Sequence, residues 1–376
     1  MLQMLRDIII ALFVLLLFNG SVCLPAKLGG APELENIELP EGFTIEIHAR
    51  DVKNARAMCW GEKGTLFVGS RSAGLVHALQ DTDGDGKPDK SHIIARGLKM
   101  PVGVTFRDGD LYVSAVEKIV RFRGIEDRLD DPPAPEVVVD DLPEETSHGW
   151  RFIAFGPDGR LYVPVGAPCN ICLRDEKIFA SITSMDPQGG DRRIVANGVR
   201  NTVGFDWHPT TGQLWFTENG RDWMGDDLPP CELNRLENEG DHFGFPYCHG
   251  RAISDPEFGG ERSCSEFEPP VLEMQAHTAP LGMRFYTGDQ FPQRYHNAIF
   301  IAQHGSWNRS SPVGYQVVVA FPQADGSVTS EVFAKGWLKG ARATGRPVDV
   351  LVAPDGSLLV SDDAANMIYR ISYNGK

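Results

Sequence analysis

The chain has 376 residues, 42% of them hydrophobic, with 40 glycines, 26 prolines and a formal net charge of -15. That length supports a large core, covered α/β or closed all-β, and the Gly and Pro content suits a chain with many turns. The acidic balance argues against a phosphate-backbone-binding surface, so no nucleic-acid partner is expected.

In chain order, the first feature is the unbroken apolar run Ile8–Phe18, preceded by Arg6 and followed by Asn19–Ser21. It has the layout of a secretory signal and is too short to span a bilayer. Residues 1–23 are therefore read as a signal peptide and the protein as exported, periplasmic or extracellular. Lipoprotein anchoring through Cys23 is the weaker version, because bulky Val22 precedes it. No later stretch is long and apolar enough to span a membrane. Residues 24–40 read as a lead-in lying on the surface, and 41–376 as one domain. Six cysteines follow Cys23, an even number that suggests disulfides, with 15 connectivities. Cys248–Cys264, within one polar insertion, is the favoured pair. Cys169 and Cys172 form a CxxC with no second CxxC, which favours a local disulfide over zinc.

Six segments then share one pattern: an apolar run, a turn often holding Gly or Asp-Gly, and a Leu-aromatic-Val-like strand. They cover 57–70, 102–115, 150–166, 203–220, 281–305 and 349–363. Repeats of short strands at roughly 45–60-residue spacing, with one longer interval for an insertion, predict propeller blades. The expected fold is all-β, a six-bladed β-propeller. Aligning the repeats on Trp60, Phe106, Phe155, Trp207, Phe285 and Val352 brings Lys53, Asn54, Arg56, Lys99, His148, Arg200, Asn201 and Arg346 to one mouth of the channel. A cationic ring in a protein of charge -15 points to an anionic small molecule; the bland alternative is a set of unrelated solvated loop charges.

Four further stretches carry chemistry. His148, in TSHGWRFIAF, sits among these cations, which favour the neutral imidazole a general base needs. Asp81–Asp89, DTDGDGKPD, places Asp81, Asp83, Asp85 and Asp89 as in a calcium loop, although His92 stands where a bidentate Glu is usual. Glu218–Asp227 follows the second strand of its repeat and is oxygen-rich. His304–Arg309, HGSWNR, occupies the same exit one repeat later, with Trp307 a stacking face and Asn308-Arg309-Ser310 a glycosylation sequon of high chance frequency.

GVRNTVGFDWHPTTGQLWFTENG, NRLENEGDHFGFP, SHGWRFIAFGPDGRLYV, QHGSWNRSSPVGYQV and GRPVDVLVAPDGSLLVSDD together resemble the glucose/sorbosone dehydrogenase family, the sorbosone dehydrogenase-like branch most closely. The resemblance covers about residues 35–376. It implies a soluble quinoprotein on a six-bladed propeller that uses pyrroloquinoline quinone (PQQ) and calcium. It implies His148 as catalytic base and Arg200, Asn201 and Arg346 as cofactor-binding residues. Arg56, or Asn54, falls near the first-repeat cofactor contact, and His304 or Arg309 near the family's lysine contact. Gly220 and Arg221 fall where two backbone carbonyls hold the catalytic calcium. Two departures stand out. Ser147 replaces the Asp that precedes the catalytic His in soluble glucose dehydrogenases, and Cys231 replaces an acidic residue, whereas Glu232 and Asn234 match.

The implied reaction is oxidation of a sugar or sugar aldehyde: His148 removes the hydroxyl proton and the substrate carbon passes hydride to the quinone. An aldehyde would react as its hydrate. Electrons would leave to an exported acceptor, a cytochrome or a membrane quinone. The rival reading is a non-catalytic exported propeller that binds without redox activity. A propeller lactonase would need carboxylate and Asn ligands at the mouth, where this chain has mostly cations.

Overall fold

The computed structural model describes residues 26–30 and 32–375; the segment read as an export signal, with Cys23, lies outside them. Six four-stranded antiparallel sheets follow one another along the chain. The first holds Ala55–Trp60, Leu66–Ser70, Leu75–Gln80 and Lys90–Arg96. The second holds Val104–Arg107, Asp110–Ser114, Ile119–Phe122 and Glu136–Val139. The third holds Ala154–Phe155, Leu161–Val165, Ser181–Met185 and Arg193–Asn197. The fourth holds Phe205–Trp207, Leu214–Glu218, Cys231–Arg235 and Leu272–Met274. The fifth holds Pro280–Phe285, Ile299–Gln303, Gln316–Pro322 and Val328–Lys335. The sixth joins Pro347–Val352, Leu358–Asp362 and Met367–Tyr373 to Phe43–Ala49 from the start of the chain.

Each sheet reproduces the repeat read from sequence. Trp60, Phe155, Trp207, Phe285 and Val352 end their first strands, and Phe106 stands one residue short of its strand's end. Successive first strands lie side by side: Pro347–Val352 on Ala55–Trp60, that on Val104–Arg107, that on Ala154–Phe155; likewise Phe205–Trp207 on Pro280–Phe285, and that on Pro347–Val352. Between the third and fourth sheets the contact is aromatic, with Phe152 and Phe205 edge to face at 4.8 Å.

The sheets are tied by a recurring hydroxyl clamp. Ser114 Oγ donates to the Arg151 carbonyl at 2.6 Å, Thr217 Oγ1 to Leu281 at 2.7 Å and Ser361 Oγ to Arg56 at 2.8 Å. The three acceptors occupy one repeat position, four residues before Phe155, Phe285 and Trp60. Each buried bond contributes on the order of 1 kcal/mol, and leaving its carbonyl unpaired would cost more. The Ser361 bond joins the last sheet to the first. The chain start is anchored by Phe43, whose ring meets Phe291, Phe333 and Tyr295 edge to face at 4.8, 5.1 and 5.5 Å.

Two details differ from the sequence alignment or add to it. Left-handed backbone marks one position, at Asn54 (φ 55°), Met100 (φ 50°), Ala279 (φ 54°) and His148 (φ 49°). Counted back from Trp60, Phe106, Phe155 and Trp207, His148 falls level with Lys53, Lys99 and Arg200; its backbone instead sets it level with Asn54, Met100 and Ala279, and so with Asn201 and Arg346, because the stretch up to Phe155 carries one extra residue. In the lead-in, Lys27–Leu28 pairs in parallel with Arg342–Ala343, and Ala26 and Ile37 are buried.

The two expected disulfides are present, Cys169–Cys172 and Cys248–Cys264, while Cys59 and Cys231 have no disulfide partner among the described residues. The second bridge staples the insertion between the third and fourth strands of the fourth sheet, where a short hairpin, Cys248–His249 with Ile253–Ser254, forms. No helix of the described residues is long and apolar enough to cross a membrane.

Candidate active site

The residues that precede the first strands and follow the second strands meet at one end of the molecule, around a cavity of about 430 Å³. Four arginines line it, Arg56, Arg71, Arg200 and Arg346, against one carboxylate, Asp222. His148, Asn201, Gly220 and His304 line it too, so most of the expected constellation is assembled.

His148 is fixed by its backbone and by one hydrogen bond: Nδ1 lies 2.7 Å from the Ala167 carbonyl. A carbonyl only accepts, so Nδ1 carries the proton and Nε2 keeps its lone pair. Burial, and then the charge of Arg200, push its pKa down to about 3. Burial thus outweighs the neighbouring cations as the cause. Gly166 makes room for this imidazole: a Cβ there would stand 2.6 Å from the His148 Cβ.

His304 is held the other way round, its Nε2 2.8 Å from Asp363 Oδ1, and Asp363 Oδ2 accepts from Arg56 Nη1 at 2.9 Å. Burial and Arg346 hold His304 down to about 4, and His304, Arg56 and Arg346 keep Asp363 well below the usual carboxylate range. Arg346 donates from Nε to the His304 carbonyl at 3.0 Å and from Nη2 to that of Gly305 at 2.8 Å.

A guanidinium has five donors, and counting them separates the arginines. Arg200 uses all five: Nε on the Asn170 carbonyl (2.8 Å), Nη1 on Asn219 and Gly220 carbonyls (3.0 and 2.9 Å), Nη2 on Asn170 Oδ1 and Asp222 Oδ2 (2.8 and 3.3 Å). Arg346 keeps three free. The Arg56 Nε is buried without a partner, and the Arg71 guanidinium has no acceptor among the described residues, lying 4.5 Å over the Trp150 ring. Arg71 is the residue that repeat alignment missed, because it follows the second strand of the first sheet, outside the aligned column. Asp222, from the oxygen-rich loop Glu218–Asp227, lines the cavity too, and so do His277 and Trp150, which precede first strands and carry no charge that would have marked them.

Several expected residues stand elsewhere. The Arg221 side chain, which the expected carbonyl role does not use, is bound to Asp255 (Nη1, 2.6 Å) and Glu257 (Nη2, 3.0 Å); in the chain the residue stands between Gly220 and Asp222, which both line the cavity. Arg309 is off the cavity wall: it donates to the Asp226 carbonyl and to Asp227 Oδ1 (3.2 Å). Lys53, Asn54 and Lys99 do not line the cavity; Asn54 caps a turn through Arg71 N and Ser72 N, and Lys99 reaches the Glu144 carbonyl. Asn308 is 2% exposed, which removes the glycosylation reading. Asp81, Asp83 and Asp85 can bring oxygens within 4.8 Å of one another at an exposed turn. Asp89 is not among them; its oxygens accept from Thr82 N and Oγ1 at 2.9 and 2.6 Å.

Beside the cavity, Trp223 and Trp307 are 61% and 47% exposed and pack edge to face at 5.4 Å. Trp223 has φ 72°, costly for a bulky side chain. Their loops are joined by Arg309 and by Ser310 N on Asp226 Oδ1 (2.9 Å), and the Trp223 loop is also held by His277 on the Gly225 carbonyl (2.9 Å). Cys231, a free thiol, lies on the cavity wall.

Sheets of this kind around one polar cavity define the β-propeller class. Residues 37–374 match the TrAA12-like family model, and the chain belongs to that family. An uncharacterised protein of Borreliella burgdorferi is 34% identical over 90% of this chain and 91% of its own. A calcium structure of Trichoderma reesei family AA12 superposes with a TM-score of 0.78 at 19% identity, over 92% of this chain and 100% of its own. The holo form of the pyranose dehydrogenase PQQ domain from Coprinopsis cinerea gives 0.76 at 20% identity, with the same coverages.

Proposed function

We propose that the six sheets are the blades of a closed six-bladed propeller, and that the protein is an exported PQQ-dependent dehydrogenase of sugars or sugar aldehydes with His148 as general base. The observation that carries this is a neutral imidazole, Nε2 unbonded, on the wall of a cavity that four arginines make cationic. The residues present fit a planar polyanion. The buried, unpartnered Arg56 Nε and the free donors of Arg71 and Arg346 await acceptors, and Asn201 stands beside them.

PQQ, when bound, supplies a two-electron acceptor. The protein's own part is to take the substrate hydroxyl proton at His148 Nε2, with Ala167 holding the tautomer and Arg200 disfavouring a premature proton. An aldehyde enters as its hydrate. The exposed Trp223–Trp307 pair offers apolar faces to a sugar ring at the cavity's edge. Calcium belongs to this reading at the Gly220 carbonyl and the Asp222 carboxylate. Both already accept from Arg200, and the Arg221 carbonyl, between them in the chain, belongs to the same proposal. A second calcium at Asp81, Asp83 and Asp85 is a structural proposal. A cytochrome or membrane quinone would take the electrons.

The test is reconstitution of the purified protein with PQQ and calcium, followed by dye reduction over a panel of pyranoses and aldehydes. A quinone absorbance with sugar-dependent turnover is expected, and His148→Ala should bind PQQ without turning over. Absence of both quinone absorbance and turnover would remove the dehydrogenase reading.

A further inference from the structure

Arg200 has no donor left for a ligand, so what fixes it decides the shape and charge of the cavity floor. Two of its five bonds go to one residue, Asn170, through Nε to the carbonyl and Nη2 to Oδ1, both at 2.8 Å. The same carboxamide grips the neighbouring loop: Oδ1 accepts from Asp222 N at 2.8 Å, and Nδ2 donates to the Asp222 carbonyl at 3.1 Å. Asn170 thus joins the third sheet's exit to the loop of the fourth that carries Gly220 and Asp222.

Asn170 sits inside the Cys169–Cys172 bridge, whose Cα atoms are 6.1 Å apart. The connection from Leu161–Val165 to Ser181–Met185 spans residues 166–180 and contains no strand or helix. A chain of that length without regular structure has little of its own to hold one carboxamide in place. The disulfide closes the turn immediately around the residue that must be placed. Its crosslink lies in this loop, outside every strand and on either side of the residue that holds the cavity's Arg200, so stapling strands together does not account for its position.

We propose that Asn170, clamped by the Cys169–Cys172 disulfide, is the positioning residue of this site: it fixes Arg200 and the Gly220–Asp222 loop, and the intact bridge sets affinity for the anionic cofactor. This rests on the PQQ reading above. With the bridge open, Asn170 is released, Arg200 gains rotational freedom, and its charge no longer stands at a fixed distance from His148.

The experiment uses the full chain without cofactor and three variants: Cys169→Ser/Cys172→Ser, Asn170→Ala and Asn170→Asp. PQQ affinity is read from quenching of tryptophan fluorescence, and the His148 imidazole titration from histidine NMR. The double variant and Asn170→Ala are expected to weaken PQQ at least tenfold and to move the His148 midpoint upward. Asn170→Asp, which keeps the acceptor for Arg200, should recover most of the affinity. A merely structural role for the loop would lower the melting temperature and leave the His148 titration where it was. Affinities within twofold of wild type together with an unmoved His148 titration would overturn the proposal. Should the double variant fail to fold, Asn170→Ala decides, since it keeps the bridge. Should the wild type bind no PQQ, the functional reading fails, and the His148 titration alone decides the role of Asn170.

Discussion

The His148 imidazole gives its Nδ1 proton to the Ala167 carbonyl at 2.7 Å, which leaves Nε2 as the only basic atom of the ring. Because burial and Arg200 hold its pKa at about 3, the cofactor-free protein should keep this histidine neutral through the whole physiological range. The unfolded chain protonates the same ring near pH 6.5. Between about 6.5 and 3 the unfolded state therefore binds more protons, and this contribution to stability falls as pH falls. Wild type should lose stability relative to His148→Gln by at most about 1.4 kcal/mol per pH unit below 6.5, and the two should run parallel above pH 7. Denaturant titrations of both proteins at pH 8, 6 and 5 check this. A difference that is flat across the three pH values would mean that His148 titrates normally.

Gly166 approaches His148 more closely than any side chain would allow. A Cβ at Gly166 would lie 2.6 Å from the His148 Cβ and 2.9 Å from its carbonyl oxygen. Both neighbours are rigid, so Gly166→Ala must displace the imidazole. Displacement of a base by about 1 Å costs on the order of 100-fold in rate. Turnover of the reconstituted enzyme is expected to drop accordingly while PQQ binding is retained; unchanged turnover would show that the loop before Ala167 relaxes freely.

The repeat made both the fold and one half of the site legible. Aromatic or apolar residues at the ends of the first strands recur in the sequence because each must fill the same gap between sheets, and counting back from them finds Arg200, Asn201 and Arg346 on the cavity. The count slipped at His148, where one added residue left no compositional trace. After the second strands, the exits Glu218–Asp227 and His304–Arg309 stood out by composition, but Arg71 did not, because exit loops vary in length and carry no shared residue type. Arg309 looked like a cofactor contact because charge in a loop reads alike whether it faces a cavity or an ion pair, and only the fold brings Asp226 and Asp227 to it.

Trp223 and Trp307 keep large apolar faces in water beside a polar cavity, and Trp223 does so on strained backbone. If they receive the apolar face of a sugar, truncation should cost binding more than chemistry. Trp307→Ala and Trp223→Ala are each expected to raise KM for pyranose substrates roughly 2- to 13-fold, with kcat within about threefold, from aromatic contacts worth about 0.5–1.5 kcal/mol. A fall in kcat with KM unchanged would place the pair in catalysis or electron exit instead. Arg309→Lys, which cannot hold both Asp226 and Asp227 in the same fork, should show a weaker version of the same pattern.

Arg71 is the arginine with the most to offer an anion. Its guanidinium lies over Trp150 at 4.5 Å, meets no acceptor among the described residues, and is partly stripped of water; burial and Arg56 lower its pKa. A carboxylate arriving there gains a charge-assisted bond without displacing an internal partner, whereas at Arg200 it would have to break one. Arg71→Ala is therefore expected to weaken PQQ by about 10- to 100-fold, the loss of a hydrogen bond to a charged group at about 1.5–3 kcal/mol. Arg71→Lys should recover part of this, since a point charge remains but the planar fork and its stacking on Trp150 do not. Fluorescence titration of both variants at two salt concentrations reads the effect: the alanine variant should show the smaller salt dependence, having lost one charge that the ligand meets. Wild-type affinity in Arg71→Ala would reassign anion recognition to Arg56 and Arg346.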